Sequence, residues 1–187
     1  RLIEHLNRLG SQATVIQEDN SFHPGWFESN VPTISKKDFF NKKDLSPKQD
    51  VLIMPETSIL VIKKYFPEIP KIIFNQNASY TFGINKKVSY KTVIDIYSDP
   101  IVAHVICVSK ADYYFLTSIL GLSPDRVSLI INAIETDLFM FGVKKKKQIS
   151  FMPRKNPLHA QIVVSALMRK SWFKGWRVKL LDNMNQD

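Results

Sequence analysis

Residues 104–131, HVICVSKADYYFLTSILGLSPDRVSLII, decide the fold class of this chain. The stretch opens on an apolar run over 104–108, which is typical of a strand covered on both faces. Ser109 can cap the helix that follows, and Gly121 suits the C-terminal end of that helix. A second apolar run over 126–131 predicts another strand. A strand, a helix and a strand in this order indicate a β-α-β unit whose two strands are parallel.

The same pattern extends towards the N-terminus. Further apolar runs predict strands at 13–16, 51–54 and 71–74. Helices are expected from 57 to 65, with Thr57 as the cap, and around 90–97, whereas the polar residues 19–50 read as irregular. Strands that alternate with helices predict an α/β domain with a Rossmann-like parallel sheet and helices on both of its faces. In such sheets ligands bind at the carboxyl ends of the strands, so the loops that follow strands are the candidates for function.

A run of four lysines at 144–147 marks a boundary, because it is too polar for a core. After it the pattern restarts, with a strand, a loop, a helix and a strand over 148–152, 153–157, 158–170 and 176–181. We expect an N-terminal domain over 1–143, and a linker with the first part of a second α/β domain over 144–187. The chain opens on a helix with no strand before it and closes just after a strand. We therefore expect a fragment of a longer protein.

Composition excludes several classes of protein. Hydrophobic residues make up 44 % of the 187 residues, which excludes global disorder. No apolar run approaches the ~20 residues that span a bilayer. The single cysteine, Cys107, excludes an internal disulfide framework and a multi-cysteine zinc site, and a cytoplasmic location is expected. The net charge of +9 indicates an anionic partner, a description that fits nucleic acid, a nucleotide phosphate or an acidic membrane face. The alternative is that solvated lysines account for much of the excess without any partner.

Three stretches of the chain resemble the group 1, family 4-like nucleotide-sugar glycosyltransferases of the GT-B fold. In that family a strand ends in Val-Ser and is followed by a helix and a glycine, as at Val108, Ser109 and Gly121. Residues 126–139 are similar to the family segment Val-x-Val-Ile-Pro-Asn-Gly-Ile-Asp-x-x-x-Phe, which leads from the first domain to the second. Here Ile, Ala and Glu replace its Pro, Gly and Asp. Residues 149–156 stand where the family begins its donor-binding domain.

The resemblance implies an enzyme that transfers a sugar from a nucleotide-diphosphate donor to a hydroxyl of a saccharide or lipid-linked acceptor, with retention. It implies no cofactor and no metal, because protein cations and helix dipoles neutralise the leaving diphosphate. Arg154 and Lys155 are the expected donor-phosphate ligands; the alternative is two solvated cations at a domain edge. No catalytic residue is assigned, since the leaving phosphate can itself deprotonate the acceptor. A fragment of such an enzyme is expected to be inactive.

The loop after the strand at 71–74 carries the groups expected of an acceptor cleft. Amides suit sugar hydroxyls, aromatic faces suit sugar rings, and a similar loop occurs in rhamnosyltransferase-like members of the family. The expected acceptor-cleft residues are Asn75, Gln76, Asn77, Tyr80 and Glu56. Loop amides that satisfy their own backbone, and a glutamate that complements a helix N-terminus, are the structural alternatives. Asn132 is expected to shape the turn between the two domains.

Charge and fold leave other functions open. Nucleic-acid binding is disfavoured, because the basic residues read as scattered and no nucleic-acid motif is present. The lysine run at 144–147 is either a solvated linker or a peripheral contact with the inner face of an acidic membrane, which fits an enzyme of lipid-linked acceptors. The fold alone also fits a non-catalytic or epimerase-like protein that binds sugar nucleotides.

Overall fold

The computed structural model describes residues 2–18, 30–42, 44–83, 88–134, 136–137, 146–152 and 156–181. These residues divide into two compact units. One unit takes in the described residues of Leu2–Ser21 and Val31–Ile134, and the other takes in those of Glu135–Asp187. The division therefore falls after Ile134, ahead of the boundary that the lysine run predicts.

The first unit begins with a helix and a small parallel sheet that is separate from the main sheet. The elements are α1 (Leu2–Arg8), β1 (Val15–Gln17), β2 (Thr33–Ser35) and α2 (Lys36–Phe40). Val15 lies opposite Thr33 in this two-stranded sheet. The strand predicted at 13–16 is present with shifted bounds.

The prediction that 19–50 is irregular is wrong for β2 and α2. Each element is too short to display a hydrophobic period, so tertiary contacts rather than local pattern stabilise it. Ser35 caps α2 by accepting a hydrogen bond from the Asp38 N–H at 3.0 Å. Phe39 is buried, and its ring packs edge-on against that of Phe66 with centroids 4.9 Å apart.

A four-stranded, all-parallel sheet forms the centre of the first unit. Its strands lie side by side in chain order as β3 (Leu52–Pro55), β4 (Lys71–Asn75), β5 (Val102–Cys107) and β6 (Val127–Leu129). The connections are a 3-10 helix (Glu56–Val61), then α3 (Ala78–Gly83) with α4 (Tyr90–Tyr97), then α5 (Lys110–Tyr114) with a π-helix (Phe115–Ile119). The α/β class, Rossmann-like in coarse terms, is confirmed.

Apolar side chains from the sheet and its helices form one core. Its fully buried members include Ile59, Ile73, Val93, Val105 and Leu116. The predicted cap of the first connection is wrong: the 3-10 helix begins after Pro55 and has no side-chain cap, so Thr57 does not cap it. Ser109 does cap α5, accepting from the Asp112 N–H at 3.1 Å.

The second unit is a β-α-β unit of parallel strands. Its elements are β7 (Gln148–Phe151), α6 (Pro157–Met168) and β8 (Arg177–Leu180). The three elements predicted beyond the lysine run are confirmed. Asn156 caps α6 by accepting from the His159 N–H, and Pro157 occupies the first helical position, where it lacks no hydrogen bond.

Candidate functional site

The carboxyl ends of β3, β4 and β5 bring polar side chains together at one edge of the main sheet. Pro55 pairs with Phe74, so the next residues along the two strands, Glu56 and Asn75, lie at the same level. Asn75 in turn pairs with Cys107 on β5. This carboxyl edge is where ligands bind in open parallel sheets.

Two buried carboxylates, one from the 3-10 helix after β3 and one from α5 after β5, bind the loop that follows β4. Glu56 is 1 % exposed, and its Oε1 accepts from the Asn77 N–H at 3.1 Å. Asp112 is 6 % exposed, and its Oδ1 accepts from the Ala78 N–H at 2.8 Å. Both N–H groups lie at the start of α3, where intrahelical acceptors are lacking and negative charge is favoured. We call Glu56 and Asp112 the carboxylate clamp.

Asp112 is itself fixed in place by the cap of its own helix. The Ser109 hydroxyl donates to Asp112 Oδ2 at 2.6 Å, while the Asp112 N–H donates back to Ser109 Oγ at 3.1 Å. This pair is a variant of the capping box, in which the carboxylate accepts from the Ser109 hydroxyl instead of the Ser109 backbone N–H. One carboxylate therefore serves two helices, its own through Oδ2 and α3 through Oδ1.

A buried polar network lies beneath the clamp. The Tyr97 hydroxyl donates to Asn75 Oδ1 at 3.2 Å, and Thr81 Oγ1 lies 3.5 Å from the same hydroxyl. Burial raises the pKa of Tyr97 well above its ordinary value, and the nearby carboxylates of Glu56 and Asp112 raise it further. Burial therefore favours the protonated, hydrogen-bond-donating form of Tyr97.

Two atoms of this edge lack a hydrogen-bond partner among the described residues. They are Glu56 Oε2, an acceptor, and Asn75 Nδ2, a donor. An unsatisfied buried polar group costs about 1–3 kcal/mol. Such groups are uncommon in folded proteins, and this edge carries one on each of two neighbouring strand ends.

Above the clamp, the loop exposes the amide of Gln76, and the start of α3 exposes the ring of Tyr80. Gln76, Asn77 and Tyr80 are exposed, and Tyr80 shows 40 % of its surface. Asn77 Oδ1 accepts from the Ser79 N–H at 2.9 Å and from the Ser79 hydroxyl at 2.7 Å. The amide of Asn77 thus satisfies its own loop, as in the structural alternative, while Gln76 and Tyr80 face solvent.

The structure brings five of the predicted site residues to one edge, but at two depths. Glu56 and Asn75 lie in the buried layer, and Gln76, Asn77 and Tyr80 lie in the exposed one. Glu56 lies in the first turn of its own 3-10 helix and also accepts from an N–H at the N-terminus of α3. The acceptor role of all five stays a prediction.

The other predicted site residues lie elsewhere. Asn132 is exposed in the stretch after β6, close to the division after Ile134. Arg154 and Lys155 lie outside the described residues, so their donor-phosphate role stays a prediction.

Sequence reasoning missed Asp112, Thr81 and Tyr97. The Ser-x-x-Asp spacing of Ser109 and Asp112 indicates a capping box. No local signal indicates that the free side of this carboxylate reaches Ala78, which lies 34 residues away in the chain. Thr81 and Tyr97 look like ordinary helix residues until the fold buries them.

Cys107 and His104, which could also carry chemistry, are accounted for by their contacts within the fold. Burial raises the pKa of the Cys107 thiol, and the Asp112 carboxylate adds to that shift. His104 Nε2 lies 2.8 Å from Ser128 Oγ and joins β5 to β6. The described residues contain no group of three or more potential metal ligands, and none of their helices has the length and hydropathy to cross a bilayer.

No protein-family model matches the chain, and no curated protein or solved structure matches it either. The residues of the carboxyl edge and the motifs of the sequence therefore carry the functional assignment.

Proposed function

We propose that this chain is part of a glycosyltransferase of the GT-B type, of the polysaccharide- or glycolipid-building class. It would transfer a sugar from a nucleotide-diphosphate donor to a hydroxyl of a saccharide or lipid-linked acceptor. One observation carries the proposal: at the carboxyl edge of an all-parallel sheet, two buried carboxylates fix the loop and the start of α3, which expose Gln76 and Tyr80. In this proposal the first unit, with its four-stranded parallel sheet, is the acceptor side.

The chemistry of the loop supports a saccharide as the ligand. The Gln76 amide offers both donors and an acceptor, which matches the dual character of sugar hydroxyls. The Tyr80 ring offers an apolar face to the C–H groups of a sugar ring, with a hydroxyl at its rim. Because the clamp fixes the backbone at Asn77 and Ala78 before binding, little conformational entropy remains to be lost on association.

The positions of the family-like motifs also support the proposal. The Val-Ser, helix and glycine motif coincides with the end of β5, the Ser109 cap and Gly121, whose φ of 73° suits glycine. The motif segment from Arg126 begins next to β6 and continues to the division after Ile134. Arg154 and Lys155 follow β7, where they would neutralise the donor diphosphate without a metal.

Binding of a saccharide to the loop is the direct test. The labelled chain is applied to a glycan array beside Tyr80→Ala and Tyr114→Ala. Tyr114 is a matched control, because it is a tyrosine with 70 % exposure on α5 and not in the loop. We expect Tyr114→Ala to bind the same glycans as the wild type and Tyr80→Ala to bind about tenfold more weakly, the value of one aromatic contact.

The donor side has its own measurement. Unfolding of the full-length protein is followed with UDP, GDP, dTDP, ADP and CMP, since a ligand at 100 times its Kd adds about 2.7 kcal/mol of stability. Stabilisation by one diphosphate class supports transfer and names the donor. Glycan binding without diphosphate stabilisation favours the non-catalytic alternative. Absence of both from a folded sample contradicts the proposal.

A further inference from the structure

The positive charge of this chain is concentrated in one segment. Residues 138–181 hold 11 of the 26 Lys and Arg and contain no Asp or Glu. The rest of the chain holds 15 Lys and Arg against 17 Asp and Glu. The net charge of +9 thus comes from this segment alone, and the interpretation of the basic residues as scattered is wrong.

Most of the described cations of this segment lie at the amino edge of the β7–β8 sheet. Lys146 and Lys147 directly precede β7, and the Lys147 carbonyl accepts from the Arg177 N–H at 2.9 Å at the start of β8. Arg169, Lys170 and Lys174 lie in the connection from α6 to β8, which returns the chain to the same edge. We define the amino-edge patch as Lys146, Lys147, Arg169, Lys170, Trp172 and Lys174, all of them exposed.

A donor phosphate does not account for this patch. Ligands of parallel sheets bind at the carboxyl edge, which in this unit is the edge where β7 leads to α6. The patch lies at the other end of both strands. With no acidic residue between 138 and 181, its cations also lack a carboxylate partner within their own segment.

A rigid aromatic group stands in the middle of the patch. Phe173 is buried and stacks on Trp176, with ring centroids 5.7 Å apart. The Trp172 ring lies edge-on to both, at 5.8 Å from Phe173 and 6.3 Å from Trp176. Trp172 nevertheless keeps 58 % of its surface exposed, and Met168, the last residue of α6, keeps 63 %.

We infer that the amino-edge patch binds the surface of an anionic lipid bilayer. Tryptophan is enriched at the depth of lipid headgroups, and clustered Lys and Arg are attracted to anionic headgroups. An exposed Met168 gains from contact with acyl chains, whereas a nucleic-acid backbone offers it nothing. The inference stands on charge and exposure in the second unit, so it does not depend on the glycosyltransferase proposal.

Vesicle co-sedimentation of the whole chain tests the inference. The vesicles are phosphatidylcholine alone or phosphatidylcholine mixed with phosphatidylglycerol. We expect binding to the mixed vesicles only, weakened at roughly 1 M salt, where the Debye length falls to ~3 Å. The triple variant Arg169→Gln, Lys170→Gln, Lys174→Gln is expected to bind about a hundred-fold more weakly, since each surface cation contributes about five-fold.

Matched variants separate the patch from net charge. The control Lys37→Gln, Lys48→Gln, Lys64→Gln removes three exposed cations from the first unit and is expected to keep wild-type binding. Trp172→Ala is expected to weaken binding to the mixed vesicles both at low salt and at roughly 1 M salt. Circular dichroism verifies that each variant is folded.

Several results would overturn the inference. They are equal binding to neutral vesicles, no binding to either kind, and equal losses from the two triple variants. Salt-sensitive binding of the wild type to single-stranded RNA without vesicle binding would assign the patch to nucleic acid instead.

Discussion

The amino edge of the main sheet and the amino edge of the β7–β8 sheet use their cations in opposite ways. At the amino end of β4, Lys71 is fully buried, and its ammonium donates to the carbonyls of Phe66 and Ile69, the latter at 2.6 Å. Burial lowers the pKa of this lysine. At the amino end of β5, Arg126 donates to the Val102 carbonyl at 2.5 Å. These cations of the first unit bind its own backbone.

Among the described residues, the cations of the amino-edge patch in the second unit make no such side-chain bonds to backbone carbonyls. Its five cations are exposed, and their segment contains no acidic residue. A cation that satisfies buried carbonyls is part of the fold, whereas an exposed cation contributes little to stability and remains available to a partner. The two edges therefore predict different results for the same substitution, and the contrast can be measured.

The largest expected effect is at Lys71. Lys71→Met keeps the aliphatic stem but removes the ammonium that donates to the Ile69 carbonyl and one of the two donors to the Phe66 carbonyl, which retains the Ile69 N–H. Phe66 already has an unfavourable φ of 48°. We expect a loss of about 2–4 kcal/mol in the free energy of unfolding by urea. Lys174→Met in the patch should change it by less than about 0.5 kcal/mol.

Lys48→Met, an exposed position in the first unit, is the control for the Lys71 measurement. Equal effects at Lys71 and Lys48 would break the contrast between the two edges. Unfolding of the second unit by Lys174→Met would also contradict the contrast between the two edges.

The next effect belongs to the carboxylate clamp. Asp112→Ala removes the acceptor of the Ala78 N–H and the capping box of α5, so we expect a loss of about 2–3 kcal/mol. The control is Asp38→Ala in α2, where Ser35 and Asp38 form the same capping box on an exposed helix. That loss should be near 1 kcal/mol.

Hydrogen exchange at the Ala78 amide gives the clamp a second measurement. It should accelerate in Asp112→Ala and stay at the wild-type rate in Asp38→Ala. Equal losses of stability in the two variants, with Ala78 still protected, would show that the bond between Asp112 and Ala78 contributes nothing.

How far the sequence predicts this molecule depends on the range of the interaction involved. The Ser109 cap, the glycine at Gly121 and α4 follow from neighbouring residues, and all three were predictable. The strands of the main sheet follow equally from apolar runs. β2 lacks such a run. It forms because it pairs with β1, which lies 18 residues earlier in the chain.

The same distinction between local and long-range interactions applies to the candidate site. That Glu56 and Asn75 reach one edge follows from strand order, but their burial does not, because each was expected to face a cleft. The clamp bond from Asp112 and the backbone bonds of Lys71 depend on how distant segments pack. The amino-edge patch could have been found by counting charge along the chain, which needs no structure.

The smallest expected effect is the acid response of an ion pair near the amino end of β5. The Asp99 carboxylate accepts a hydrogen bond from the Lys63 ammonium, which is the chief reason its pKa is lowered, and another from the Ile101 N–H at 3.0 Å. Because the folded pKa lies below the unfolded value of about 3.9, the stabilisation is complete above that value. It is lost as the pH falls through the folded pKa.

Asp99→Asn removes this titration, so the variant should lose less stability than the wild type between neutral pH and acid below about pH 3. Since Lys63 is mostly exposed, the difference should stay under about 1 kcal/mol. Thermal unfolding at the two pH values measures it, with Asp95→Asn in the exposed pair with Lys91 as the control. Identical acid losses in the wild type and Asp99→Asn would mean that this pair, unlike Lys71, contributes no more to the fold than the cations of the amino-edge patch do.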